Sequence, residues 1–225
     1  MDKAIRIDGI YDSETLKTAR SLGVGLFNFD FRPKSFNFLQ QHYFLGMLSE
    51  GVFSSENFFM HFANEKDFVI FKMLEDIKET LSSTDVLGQL YLEFSDECES
   101  FYYDQFETPF YWHFRLGASI EEVLKTYQLR GIIWSLPLLE DINQGEGLEI
   151  FFSRFLENYG ENIRRMGLKM ILRVGSSIDL IPALFQILPF DFISLPIDSS
   201  LELSYRNVNF DHLRKEIQYF DSIIS

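Results

Sequence analysis

The sequence holds one cysteine, Cys98, among 225 residues. No internal disulfide can form, which suits a reducing compartment. Long apolar runs are missing as well: no segment approaches about 18 uninterrupted apolar residues, so no membrane span is expected. The first residues, MDKAIRIDGIYD, carry charges where a signal peptide needs an apolar run, and a cytoplasmic location is the expectation. Basic residues are scarce, 20 against 34 acidic, for a formal charge of −14. That field repels nucleic acid and anionic membranes, so neither is expected as a partner, and an anion site needs locally placed donors. No G-x-G-x-x-G follows the first strand. The four histidines, His42, His61, His113 and His212, show no metal-ligand spacing, so no metal site and no cofactor are expected.

Phenylalanine, by contrast, is abundant at 25 residues, and we read the excess as core filling. Short apolar runs alternate with longer amphipathic ones. Strands are expected at Ala4–Asp8, Gly25–Phe31, Phe58–Ala63, Val86–Leu92, Phe110–Leu116, Gly131–Ser135, Lys169–Val174 and Phe190–Leu195. Helices are expected at Ser13–Leu22, Phe38–Leu48, Lys66–Ser82, Asp96–Tyr103, Ile120–Tyr127, Ile150–Met166, Ser177–Ile187 and Phe210–Ser222. Turn or cap residues bound each of them. Eight strands each followed by a helix predict an α/β chain, a single (β/α)8 TIM barrel over residues 1–225. An open doubly wound sheet is the alternative.

One stretch is more specific. LGVGLFNFDFRPKS, Leu22–Ser35, resembles without gaps the second strand of phosphoribosylanthranilate isomerase, whose pattern there runs L-G-A-D-x-x-G-F-x-F-x-P-K-S. IRIDGI (Ile5–Ile10), MHFANE (Met60–Glu65), GQLYLEFSDE (Gly88–Glu97), QGEGLEIFF (Gln144–Phe152) and ILRVGSSIDLIPAL (Ile171–Leu184) resemble further pieces of that family in the same order. The resemblance covers nearly the whole chain. It implies an Amadori rearrangement of a phosphoribosyl-amine in tryptophan biosynthesis, without metal or organic cofactor. Its substrate would be a small phosphorylated sugar-amine, and a homodimer is compatible with it.

The resemblance also distributes roles. The family's base is a cysteine ending strand one, and here that position is Asp8; the alternative for Asp8 is a cap on the turn before Gly9. The family's acid ends strand six, where this chain has Ser135 or Leu136, neither a carboxylic acid. Glu140, Asp141 or Glu146 could stand in; as a catalytic pair the residues offer Asp8 and Glu146, and the plainer reading of the three acids is solvated loop charge. Pro33, Lys34 and Ser35 match the family, but the arginine that would hold the anthranilate carboxylate is Asn37. For phosphate, Gly175, Ser176 and Ser177 remain plausible backbone donors after strand seven. After strand eight the family's S-S-G-V-E is replaced by Ser194, Leu195, Pro196, Ile197 and Asp198, where Pro196 has no N–H to give.

Polar residues near other strand ends complete the picture. Asp30 shares a face of strand two with Asn28, Arg115 ends strand five, and Arg173 lies on strand seven. Together with Lys34 and Asn37 they are candidate substrate contacts in a remodelled mouth. The other reading has Asp–Arg pairs plugging a disused mouth. The functional expectations are therefore an isomerase-like protein with altered or reduced activity, or a non-catalytic barrel kept as a binding or assembly module.

Overall fold

A computed structural model describes residues 4–50, 56–81, 89–175 and 181–224. Eight parallel strands close into a barrel in chain order. They are β1 (Ala4–Asp8), β2 (Leu26–Asp30), β3 (Asn57–Phe62), β4 (Leu90–Phe94), β5 (Phe110–His113), β6 (Leu129–Ser135), β7 (Lys169–Arg173) and β8 (Phe192–Pro196). Closure is direct: Ala4 to Asp8 of β1 pair in register with Phe192 to Pro196 of β8. Around the strands lie helices α1 (Ser13–Ser21), α2 (Gln41–Glu50), α3 (Asp67–Thr80), α4 (Ser100–Asp104), α5 (Ile120–Val123), α6 (Leu136–Gly145), α7 (Leu148–Met166), α8 (Ile181–Ile187) and α9 (Phe210–Ile224). A two-stranded hairpin, β9 (Glu202–Ser204) with β10 (Asn207–Val208), stands between β8 and α9. Among the described residues no helix is long and apolar enough to cross a membrane.

Local chemistry sets these boundaries. Asp12 caps α1 by accepting from the Thr15 backbone N–H at 2.7 Å, as an N-cap carboxylate should. Helix α7 ends at Gly167 in the left-handed region, φ 65°, with Arg164 and Arg165 in its last turn beside the negative end of the helix dipole. Most of the phenylalanines fill the layer between strands and helices. Phe94 of β4, for instance, is buried against Tyr102, Tyr103, Phe106 and Phe110.

Four sequence expectations change. Strand β4 runs Leu90–Phe94 rather than Val86–Leu92, with 82–88 outside the described residues; Glu93 therefore lies inside the strand. Strand β5 stops at His113. Beyond it the chain turns, Ala118 N–H to the Arg115 carbonyl, with Gly117 at φ +79°, so Arg115 is an exposed turn residue and not a strand end. The segment after β6 is the helix α6, with Pro at its first positions, where the fixed φ of proline favours a helix start. The β9–β10 hairpin was not expected from the sequence. Residues 176–180, the expected start of α8, lie outside the described residues.

The inner wall of the barrel divides into two halves. Its lower half is apolar, with Leu26, Phe59, Tyr111, Ile133 and Ile171 buried together against Tyr91 and Phe192. Gly131 makes this packing feasible. A Cβ there would lie 2.5 Å from the Lys169 carbonyl oxygen and 2.5 Å from the Tyr111 ring. Gly131→Ala should therefore destabilise the chain by about 1–3 kcal/mol through overpacking. The shift of the urea midpoint measures this, and an unchanged midpoint would contradict the packing described.

Candidate functional site

The upper half of the barrel, at the carboxyl ends of the strands, is built from charge. Period-two alternation puts Arg6 and Asp8 of β1 on one face. Arg6 is fully buried beneath Asp8. Its Nε lies 2.7 Å from Asp8 Oδ1, a contact of charges rather than an aligned hydrogen bond. Its Nη2 donates to Asp8 Oδ2 at 3.1 Å and to Ser194 Oγ at 3.2 Å. Its Nη1 donates to Glu93 Oε2 at 2.7 Å. The guanidinium plane also stands 4.8 Å from the centre of the Phe59 ring. From β7, Arg173 Nε reaches Asp8 Oδ2 at 3.2 Å, and its side chain remains 35% exposed at the rim.

Glu93 is the second centre. Asn28 Nδ2 joins Arg6 on its Oε2, at 3.0 Å. Its Oε1 faces two imidazoles: His113 Nε2 at 2.6 Å and His61 Nδ1 at 3.4 Å. The two rings stack 4.6 Å apart and 8° from parallel. Burial works against the Glu93 charge, but the Arg6 guanidinium and the hydrogen bond from His113 outweigh it and hold the carboxyl well below its usual range. Burial pushes both imidazoles down, His61 strongly, so they sit neutral beside an ionised carboxylate at neutral pH.

The residues predicted from sequence distribute unevenly around this centre. Asp8 and Arg173 are brought together on the mouth. Ser194 is fully buried inside the barrel, under Arg6, instead of on an outer turn. Asp30 is committed to its own loop: Arg32 Nε and Nη2 meet it at 2.8 and 2.5 Å, and Ser35 Oγ donates to it at 2.6 Å. Asn37 is buried, and its Nδ2 donates to the Ile197 carbonyl at 2.5 Å. It lies so close that a Cβ on Gly9, φ +77°, would stand 2.3 Å from Nδ2. Lys34 and Arg115 are exposed, and Arg115 has no ion pair among the described residues. Gly175 follows β7, while Ser176 and Ser177 lie outside the described residues. Glu146 is exposed at the end of α6 and pairs with Arg154 of α7. Ser135 ends β6 and Leu136 opens α6, so no carboxylate stands at that strand end.

Sequence reasoning missed Arg6, Glu93 and the pairing of His61 with His113. For Arg6 and Glu93 a signal existed: each is a charged residue within an apolar strand run, AIRID and LYLEF, and such charges are buried only with partners.

No protein-family model matches the chain, and no curated protein does. Solved structures do. The phosphoribosylanthranilate isomerase of Thermus thermophilus aligns with 98% of this chain and 99% of its own, at TM-score 0.66 and 13% identity. That of Thermotoga maritima aligns over 96% and 99%, at TM-score 0.67 and 12% identity. The fold is that of the phosphoribosylanthranilate isomerases. A 4-hydroxy-2-oxoglutarate aldolase also aligns, over 100% of this chain and 96% of its own, at TM-score 0.60 and 13% identity. One barrel thus serves more than one chemistry.

Two outcomes test the charged centre. Arg6→Met leaves Glu93 and Asp8 buried without their main partner and should cost about 3–5 kcal/mol in denaturant unfolding; a loss below about 1 kcal/mol would contradict the pairing. The second test is pH. His61 and His113 bind protons less readily folded than unfolded, so the stability they contribute is complete above their ordinary value of 6.5 and is lost as pH falls below it. Glu93 acts in the same direction at lower pH, its contribution present above its ordinary value of 4.5 and lost as pH falls through its depressed folded value. The charged groups facing the imidazoles are Glu93, Arg6, Arg32 and Arg173. The melting temperature in chelator-containing buffer should fall between about pH 7 and 5, and His61→Gln should flatten that fall. A flat profile in the parent chain would contradict the assignment.

Proposed function

We propose that this chain is a phosphoribosylanthranilate isomerase-like protein, acting at the barrel mouth on a small phosphorylated sugar-amine with reduced turnover. The observation that carries the reading is Asp8: a carboxylate on the last residue of β1, on the inner wall, held from below by Arg6 and from the side by Arg173. One isomerase of this fold has been solved with reduced 1-(o-carboxyphenylamino)-1-deoxyribulose 5-phosphate, a phosphorylated sugar-amine of the class proposed here.

In the rearrangement the ring oxygen accepts a proton as the C1–O bond opens and the amine nitrogen lone pair forms a C1=N bond. A base then removes the C2 proton, giving an enaminol, and protonation at C1 with loss of the C2 hydroxyl proton gives the aminoketose. Asp8 takes the role of base at C2. Arg173, partly exposed beside it, supplies a cation for an anionic group of the substrate. Lys34 and Gly175 are further contacts on the rim, and Ser176 and Ser177, outside the described residues, are the expected backbone donors for phosphate. The acid is the weak point. Ser135 and Leu136 cannot supply it, and Glu146 is turned to Arg154, which is why turnover is reduced. Tryptophan biosynthesis, a cytoplasmic location and a homodimer belong to this same reading.

A second reading rests on a separate observation: both oxygens of Asp8 already face guanidinium groups, so the mouth is also built as a self-neutralised plug. In that case the barrel is non-catalytic and serves as a binding or assembly module.

Complementation separates the two. The chain, expressed in a strain lacking its own isomerase, should restore growth without tryptophan, and Asp8→Asn should abolish the rescue while remaining folded by circular dichroism. If the intact chain is soluble in that strain and does not rescue, the isomerase reading is wrong and the plugged barrel stands.

A further inference from the structure

We propose that His61, Glu93 and His113 form a binding site for a single divalent transition-metal cation of the zinc type, on the inner wall of the mouth. The three residues come from adjacent strands β3, β4 and β5. One donor atom from each lies within 4.8 Å of the other two. Two imidazoles and one carboxylate are a donor set that holds such a cation with three protein ligands and leaves a fourth position for water or a ligand oxygen. Imidazole donors suit zinc, iron, copper and nickel, whereas calcium and magnesium prefer oxygen donors throughout.

One feature beyond the proximity of the three residues points the same way. Glu93 is already oriented as a ligand. Arg6 and Asn28 occupy its Oε2, and only Oε1 faces the imidazoles. Outer contacts of this kind fix a coordinating carboxylate in a single-oxygen mode.

The distances are close to those the ion requires. Tetrahedral zinc with bonds of about 2.0–2.1 Å separates its donors by roughly 3.3 Å. Oε1 to His61 Nδ1 is 3.4 Å already. Oε1 to His113 Nε2 is 2.6 Å, so this hydrogen bond must open by about 0.7 Å to reach that donor spacing. The His113 ring must also turn, because stacked parallel rings do not aim both lone pairs at one point. His113 is the less buried of the two, with its side chain 12% exposed. Coordination through Nε2 places its remaining ring proton on Nδ1. The site stands whether or not the barrel is an isomerase.

The test uses the purified full chain, stripped with chelator and titrated with Zn²⁺ and with Co²⁺ by calorimetry. The visible spectrum of cobalt reports nitrogen and oxygen coordination. One cation should bind per chain. His113→Gln and His61→Gln should each weaken binding by more than about 100-fold, and Asn28→Ala, which touches only Oε2, by about 10- to 100-fold. His42→Gln and His212→Gln should change nothing. If His61→Gln does not fold, His113→Gln alone decides. The inference is overturned by a folded chain with no saturable one-to-one binding, or by binding of equal strength in His113→Gln.

Discussion

A guanidinium with no access to water governs the upper half of this barrel. Arg6 cannot shed its charge, so its burial is tolerable only where carboxylates and hydrogen-bond acceptors surround it. Asp8 and Glu93 meet that need from two sides, and Ser194 takes a further N–H. These contacts tie β1 to β4 across the barrel and to β8 beside it. They fix the orientation of Asp8, the group nearest to catalysis, and that of Glu93, the group nearest to coordination. One arginine therefore sets the geometry on which both proposals depend.

The segment most similar to the isomerases has an internal use. Asp30, Arg32 and Ser35 of the FDFRPKS stretch bind one another. Asn37, where the resemblance expects a substrate-holding arginine, instead fastens the loop after β2 to the carbonyl of Ile197 beyond β8. Of these residues only Ser35 matches the family pattern, so the loop after β2 is closed largely by residues particular to this chain. Asp8 and Arg173 differ in kind, because their partners leave Arg173 partly open to the mouth.

The barrel was legible because each strand is a short apolar run and each helix a longer amphipathic one, and the order of closure then follows from chain order. β4 was misread because VLGQ precedes LYLEF and extends the apolar run backwards, which moved Glu93 out of the strand. α6 was missed because Leu136–Pro137 reads as a break, although proline in a first turn favours a helix. The candidate site was half legible. Asp8, Asp30 and Arg173 stand at strand ends where polar residues attract notice. Arg6 lies mid-strand, and the stacking of His61 with His113 depends on strands β3 and β5 flanking β4, a relation that exists only once the barrel closes.

The β9–β10 hairpin gives the rim a front and a back. Tyr11 donates to Glu202 at 2.8 Å, Arg206 packs over the Tyr11 ring and hydrogen-bonds the Phe38 carbonyl, and Phe36 meets Tyr205 edge to face. The exits of β1, β2 and β8 are thereby stitched to one another.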